Sequence, residues 1–186
     1  MFLIVGLGNP EPKYSWTRHN VGFELINKLA YDNNIDIRKV KHRSHFGQGT
    51  IAGHKVILAK PTTYMNLSGE SIREIVKTKG ISLDNVIIIH DEIQLETGQT
   101  RLKFSGGHGG HNGIRNTITC LGTNDFTRIR IGIGHPGPIP LSDYVLSKFH
   151  TKEHPDLISS ITKAGEATEY ILNHGVDMAM NIYNQK

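Results

Sequence analysis

The order of apolar and polar residues predicts a chain that alternates between strands and helices. Short, mostly apolar runs with the length of buried strands occupy residues 2–6, 55–59 and 86–89. The third run, Val-Ile-Ile-Ile, is the most apolar stretch of the chain and predicts a central strand buried on both faces. Residues 99–104 and 126–133 alternate in polarity, which is typical of half-exposed strands.

Helices are predicted between and after these strands. Apolar residues recur every fourth position over 21–29 and mark one face of a helix. Helical patterns also cover 68–79, 112–121 and 151–183, and the last of these is interrupted near Gly175. Strands that alternate with helices pack as layers around a largely parallel sheet, so the pattern predicts an α/β fold with a single core.

Composition narrows the functional classes. The only cysteine, Cys120, excludes an internal disulfide and cysteine-based zinc or iron–sulfur centres, and its place on an apolar helix face favours a position in the core. Lys and Arg outnumber Asp and Glu by 21 to 17, a net charge of +4 that is compatible with an anionic partner and equally with a basic protein of another kind. The apolar run at the N-terminus is too short for a signal peptide or a membrane span, so we expect a cytoplasmic protein and no membrane partner.

Polar side chains follow the predicted strands. Asn9 comes after the first strand, Asn66 after the second and Asp91 after the third. The fourth strand leads into a glycine-rich segment, 106–113, which contains Asn112. Ligands of open α/β sheets bind beyond the carboxyl ends of the strands, and carboxamides both donate and accept hydrogen bonds. The polar residues after these strands therefore predict a site for a substrate with peptide-like groups.

Other interpretations of these segments remain. Gly6 and Gly8 suggest a dinucleotide site, but residues 12–13 are Pro-Lys where the third glycine belongs, which disfavours that interpretation. The glycine-rich segment 106–113 could be a flexible loop or could offer N–H groups to a phosphate. Four histidines could in principle ligate a metal, namely His90, His108, His111 and His135. Their spacing within the glycine-rich segment does not fit a helical metal site, so a metal is the less favoured alternative.

A series of short motifs carries a family resemblance. They are VGLGNP at 5–10, YSWTRHNVG at 14–22, KPTTYMNLSG at 60–69, HDE at 90–92, GGHGGHNG at 106–113 and RIGIG at 130–134. In this order they resemble the motifs of the bacterial peptidyl-tRNA hydrolase family. The resemblance covers residues 2 to about 150 and is weaker in the C-terminal helices.

The resemblance implies a fold and a function. The fold is α/β, a single domain over residues 1–186 with a mixed, mostly parallel, twisted sheet flanked by helices, usually as a monomer. The function is hydrolysis of the ester between peptide and tRNA in peptidyl-tRNA, which recycles tRNA from prematurely released peptidyl-tRNA without a metal or an organic cofactor. Relatives of the family that bind RNA and protein without hydrolysis, in organelle splicing, are the alternative. The presence of His19, Asp91 and the asparagines favours the enzyme.

The resemblance also implies catalytic residues. His19 matches the base that takes a proton from the attacking water. Asp91 matches the carboxylate that fixes the tautomer of this histidine and stabilises its imidazolium form. Asn9 is placed with them as a catalytic residue at the scissile ester. Direct attack by water is expected, without a serine or cysteine nucleophile.

Further residues are expected to hold the substrate. Asn66 would contact the peptide main chain and Asn112 would place the water or the carbonyl. Which asparagine donates to the oxyanion stays open. Tyr14 and Met65 would line the peptide groove, although residues of these types are also common in a plain core.

Phosphate groups of tRNA require cations. Lys103 and Arg130 match the family positions that hold the 5′ phosphate. By the strand period of two, Lys103 shares a face with Arg101, and Arg130 shares one with Arg128, which predicts a basic strip. A solvated charged face is the alternative, and it is the favoured interpretation for a second basic cluster at 38–43.

Overall fold

One seven-stranded sheet organises the computed structural model, which describes residues 1–185. Its strands in chain order are β1 (Phe2–Gly6), β2 (Lys39–Lys41), β3 (Ser44–Ile51), β4 (His54–Pro61), β5 (Val86–Glu92), β6 (Thr100–Phe104) and β7 (Thr127–Gly132). The spatial order is β2-β3-β4-β1-β5-β7-β6. The central strands β4, β1, β5 and β7 run parallel, and antiparallel pairs complete the sheet on both sides. The predicted α/β fold with a mixed sheet and a parallel centre is confirmed.

Helices cover both faces of the sheet. They are α1 (Val21–Asp32), α2 (Ser68–Lys79), α3 (Asn112–Leu121), α4 (Leu141–Val145), α5 (His154–His174) and α6 (Val176–Tyr183). Successive side chains of β1 point to opposite faces, so Ile4 packs in the cluster of α1, α5 and α6, whereas Leu3 and Val5 pack in the cluster of α2 and α3. None of the helices within residues 1–185 is long and apolar enough to cross a membrane.

Three elements have no counterpart in the sequence-based prediction. Strands β2 and β3 form an antiparallel hairpin at the sheet edge, and β2 is exposed and carries two lysines, so it has no apolar run to reveal it. The short α4 begins at Leu141, in a part of the chain for which no element was predicted. Strand β5 also continues to Glu92, so Asp91 lies within the strand and not beyond it.

Two glycines bring the first strand and the first helix together. A Cβ atom on Gly6 would lie 2.1 Å from the carbonyl oxygen of Gly22, and a Cβ on Gly22 would lie 2.6 Å from the carbonyl oxygen of Ile89. No other residue fits at these contacts, because real Cβ atoms do not approach backbone so closely. The start of α1 therefore rests directly on the ends of β1 and β5, which places the preceding turn beside Asp91.

Candidate active site

A histidine and an aspartate form the centre of the site. His19 lies in a 3-10 turn, Arg18–Asn20, immediately before α1. Its Nδ1 is 2.8 Å from Oδ2 of Asp91 on β5. Because Nδ1–H donates to the carboxylate, Nε2 on the other side of the ring is left with a lone pair that can accept a proton. The structure thus brings together the two residues predicted as base and supporting carboxylate.

Burial and neighbouring charges shift the pKa values of His19 and Asp91 in opposite directions. Burial works to lower the pKa of His19, but the negative charge and hydrogen bond of Asp91 outweigh it, so the pKa of His19 lies above its usual value. Burial likewise works to raise the pKa of Asp91, yet the neighbouring His19 and His111 hold it well below its usual range. Asp91 is therefore ionised at neutral pH, and its charge favours the protonated form of His19.

A second histidine contacts the same carboxylate. Nε2 of His111 lies 2.7 Å from Oδ1 of Asp91. His111 is also the N-cap of α3, where its Nδ1 accepts the N–H of Ile114 at 3.3 Å. From the sequence, this histidine was considered only as a possible metal ligand. Its position immediately before a predicted helix is the signal that could have identified it as a cap.

An open cavity of about 220 Å³ lies beside these side chains. It is formed by the turn before α1, the end of β5, the glycine-rich segment and α4, and its lining residues include His19, Asp91, Glu92, His108, His111, Asn112, Leu141 and Val145. Asn112 also lines a neighbouring, shallower cavity together with Asn66 and Arg115. Asn112 therefore lies between the two cavities, and the predicted residues Asn66 and His19 open into different ones.

Three hydrogen bonds hold Asn9 in place. Its side-chain Oδ1 accepts the backbone N–H of Met65 at 2.9 Å. The carboxamide of Asn20 accepts from the backbone N–H of Asn9 at 2.9 Å and donates to its carbonyl at 3.0 Å. The oxygen of the Asn9 side chain is thus engaged, and its Nδ2 is the group left to donate. No role was predicted for Asn20.

The predicted groove residues Met65 and Tyr14 occupy different environments. Met65 is only 3% exposed, and its sulfur packs so close to Gly113 that a Cβ there would lie 2.6 Å from it. Tyr14 is partly exposed in a separate 3-10 turn, Pro12–Tyr14, and the ammonium of Lys13 lies 5.0 Å from its ring centre. Neither residue is among those that line the cavity at His19.

Comparison with known proteins identifies the family. The family model described as peptidyl-tRNA hydrolase matches residues 3–186. The chain belongs to the peptidyl-tRNA hydrolase family. A peptidyl-tRNA hydrolase of Lachnoclostridium phytofermentans is 48% identical over 100% of this chain and 98% of the relative. One of Alkaliphilus metalliredigens is 50% identical over 99% of this chain and 100% of the relative.

A solved structure supports the same assignment. The crystal structure of peptidyl-tRNA hydrolase from Acinetobacter baumannii superposes with a TM-score of 0.92 at 40% sequence identity, covering 97% of this chain and 93% of that chain. Because the family model matches up to residue 186, family similarity includes the C-terminal helices, where the motifs gave little support. The predicted peptidyl-tRNA hydrolase family is confirmed.

The predicted basic strip requires a correction at Arg128. Cross-strand register pairs Lys103 with Arg128 and Arg101 with Arg130, so the four cations do share one face of β6 and β7. Arg128, however, is only 2% exposed, and its guanidinium donates to the carbonyls of Gly106 and Gly107. It holds the glycine-rich segment and is not available to a partner in solution. Lys103 and Arg130 are partly exposed, and Arg130 lies 3.7 Å from Glu92.

One group within residues 1–185 combines enough potential metal ligands for a metal site. It consists of His19, Asp91 and His111, whose ligand atoms lie within 4.8 Å of one another. Each histidine nitrogen that faces Asp91 is at hydrogen-bond distance and carries a proton when it donates, so a metal would have to displace both protons. The four histidines considered from the sequence do not form such a group among the described residues.

Proposed function

We propose that this chain hydrolyses the ester that joins the peptide to tRNA in peptidyl-tRNA. The observation that carries the proposal is the His19–Asp91 pair, because it combines a buried carboxylate with a histidine whose Nε2 is free beside an open cavity. Family membership supplies the substrate class. The alternative function, binding of RNA without hydrolysis, requires neither a base nor its carboxylate.

The reaction follows from this pair. A water molecule attacks the ester carbonyl while His19 Nε2 takes one of its protons. The negative charge of Asp91, 2.8 Å from Nδ1, stabilises the imidazolium ion that forms. When the tetrahedral intermediate breaks down, the bond from carbon to the ribose oxygen breaks and His19 returns the proton to that oxygen. The products are a peptide with a free carboxyl group and a tRNA with a free terminal hydroxyl group.

The asparagines supply hydrogen bonds to the substrate in this proposal. Asn9 donates through Nδ2 at the scissile ester, since its oxygen is occupied by Met65 N–H. Such donors aimed at a developing oxyanion are among the largest contributors to catalysis of acyl transfer. Asn112 orients the water or the carbonyl from its place between the two cavities, and Asn66 contacts the peptide main chain in the neighbouring one. Because these contacts are with main-chain amides, the side chains of the peptide are not recognised.

Lys103 and Arg130 hold the 5′ phosphate of tRNA in this proposal. Both are partly exposed on the same face of β6 and β7, outside the cavity at His19. Tyr14 and Met65 contribute to the peptide groove in this proposal. We further propose, from the family resemblance, that residues 1–186 form one peptidyl-tRNA hydrolase domain that acts as a cytoplasmic monomer without a cofactor.

Turnover of a blocked aminoacyl-tRNA tests the function. Incubation of the protein with N-acetylated aminoacyl-tRNA is expected to release the acetylated amino acid and deacylated tRNA, and to do so after dialysis against a chelator. The same tRNA with a free amino group is the matched control and is expected to react much more slowly, because it lacks the peptide-like amide. Binding of the blocked substrate without cleavage would contradict hydrolysis and favour the binding alternative.

A further inference from the structure

The carboxylate of Asp91 is shared between two histidines. Oδ2 accepts from Nδ1 of His19 at 2.8 Å, and Oδ1 accepts from Nε2 of His111 at 2.7 Å. Asp91 is 3% exposed, so these two donors, and not water, determine how its carboxylate is oriented and how its charge is distributed. The reaction proposed above gives a role to His19 and none to His111.

The tautomer of His111 is fixed by the helix that follows it. As N-cap of α3, His111 accepts the N–H of Ile114 on Nδ1, so the neutral ring must carry its proton on Nε2. That is the nitrogen that faces Asp91. Arg115 N–H also bonds to the carbonyl of His111 at 2.9 Å, and the residue's own N–H bonds to the carbonyl of His108. Ring and backbone are therefore both held in place by the start of α3.

On this geometry, and resting on the proposed function, we infer that His111 is a positioning residue. It aligns Asp91 with His19 and weakens the attraction between the Asp91 carboxylate and the proton on His19. A hydrogen bond to the charged form of a carboxylate spreads its charge. A carboxylate with less concentrated charge holds the proton of its other partner less strongly. His111 therefore limits how far Asp91 raises the pKa of His19, which favours the unprotonated form that acts as a base.

The other charged or titratable groups that line the cavity with His19 come from two elements. β5 contributes Asp91 and Glu92, and the glycine-rich segment contributes His108 and His111. The part of α4 that lines the cavity is uncharged, with Leu141, Ser142 and Val145. The next charged side chain along the chain, Arg18, is paired with Glu153 away from the cavity. Among these groups, Asp91 bonds directly to His19, and His111 bonds to the other oxygen of the Asp91 carboxylate.

A third histidine packs behind His111 and does not compete for protons. The ring of His90 lies 4.9 Å from that of His111 in an edge-on arrangement. Nδ1 of His90 is 2.8 Å from the carbonyl of Asp91 and donates to it. Burial, and then the nearby His111, lower the pKa of His90 to about 3, so it stays neutral where the enzyme would work. His90 therefore fills space behind the proposed positioning residue without adding charge.

The two nitrogens of His111 can be separated by substitution. His111→Asn retains a short side chain that is among the best helix N-caps, but it does not reach Asp91. His111→Gln places an amide N–H near the position of Nε2 and so keeps a donor for Asp91 while it weakens the cap. A residue that served only as a cap would tolerate Asn better than Gln. The positioning role requires the opposite order in any measurement that reports on His19.

The deciding measurement is the titration of His19 by NMR in the free protein, with thermal unfolding as the control for the cap. In His111→Asn the pKa of His19 is expected to rise by about 0.5 to 1 unit, which corresponds to roughly a 3- to 10-fold gain in proton affinity from one lost hydrogen bond. In His111→Gln the titration is expected to return toward that of the unsubstituted protein. An unchanged or lowered His19 pKa in a folded His111→Asn variant, or a rise equal in both variants, would overturn the inference.

The readout does not depend on hydrolysis. If the blocked aminoacyl-tRNA is not cleaved by the unsubstituted protein, the proposed function fails while the titration still reports whether His111 acts through Asp91. If hydrolysis occurs, the acid limb of the kcat/KM profile is expected to move to higher pH in His111→Asn, with KM changed less than kcat at neutral pH. An acid limb that stays in place would contradict the positioning role even in an active enzyme.

Discussion

Arg18 and His19 are neighbours in one turn, and each ends at a carboxylate from a distant part of the chain. Arg18 makes a bidentate ion pair with Glu153, with Nη1 2.9 Å from Oε1 and Nη2 2.8 Å from Oε2. Nη1 also donates to the carbonyl of Ile133. Its guanidinium lies between the rings of Tyr144 and Phe149, 4.5 and 4.6 Å from their centres. These contacts leave the guanidinium well paired, which suits a fixed anchor.

His19 differs from its neighbour in what remains free. One of its nitrogens is bonded to Asp91, and the other is available beside the cavity. The hydrogen bonds of Arg18 lower the pKa of Glu153 to about 2, so that ion pair persists over the whole neutral range. The pKa of His19 is raised from a starting value that is already close to neutrality, so its charge can change. The permanent ion pair therefore fixes the turn, and the titratable pair is left for the proposed chemistry.

The largest effect is expected from removing the free nitrogen. His19→Ala should lower kcat by roughly 10²- to 10⁴-fold, the usual contribution of a positioned general base. The melting temperature and tRNA binding should change little, because Asp91 keeps its bond to His111. Single-turnover kinetics with blocked aminoacyl-tRNA, alongside thermal unfolding, checks both statements. Near-normal turnover in a folded variant would remove His19 from the mechanism.

Breaking the ion pair between Arg18 and Glu153 should lower stability much more than turnover. Glu153→Gln should lower the free energy of unfolding by about 3 kcal/mol, the low end for breaking a buried ion pair, because the Glu153 side chain is 18% exposed. The folded-state pKa is depressed, so the stabilisation is complete above about pH 4.5, the ordinary value for this group. It is lost as the pH falls toward the folded value of about 2.

Denaturant unfolding at several pH values measures this contribution. Glu169→Gln, an exposed substitution on the same α5, is the matched control and should have little effect. The turnover of the folded fraction of Glu153→Gln should fall far less than that of His19→Ala. An equal loss of stability in both glutamate variants would contradict the anchoring role of the ion pair.

A smaller effect is expected at the cations outside the cavity. Lys103→Ala should raise KM for full-length peptidyl-tRNA several-fold and reduce the slope of log affinity against log salt by roughly one unit. It should have little effect on a short substrate with the ester and terminal nucleotide but no 5′ phosphate. Lys55→Ala removes an exposed strand lysine of the same charge and serves as the control. Equal losses on both substrates would return Lys103 to a solvated surface role.

Local patterns predicted the helices better than the sheet edges. Helices α2 and α3 have the bounds that were predicted, because each combines an apolar face with a glycine in left-handed conformation at its end, Gly80 and Gly122. The hairpin of β2 and β3 was missed because an exposed edge strand has no buried run. A pattern that arises from burial fails where a strand is not buried.

The sequence named candidate residues for the site, but not the contacts among them. The motifs predicted His19 and Asp91 as a pair, and the structure places them 2.8 Å apart. Burial of Arg128 against the carbonyls of Gly106 and Gly107 depends on a loop that returns from the end of β6, which strand periodicity does not describe. The bond from His111 to Asp91 likewise joins residues 20 positions apart through tertiary packing.

The pH dependence of kcat/KM, measured side by side for the unsubstituted protein and Asp91→Asn, tests the central claim most directly. The base must be unprotonated, so the rate should rise with pH through the pKa of His19, with a midpoint above its ordinary value because Asp91 raises it. Asp91→Asn should lower the plateau and move the midpoint to lower pH, because the charge is gone and the effect of burial is no longer opposed. A midpoint that is identical in the two proteins, or that moves to higher pH in Asp91→Asn, would contradict the account of His19 as a base supported by Asp91.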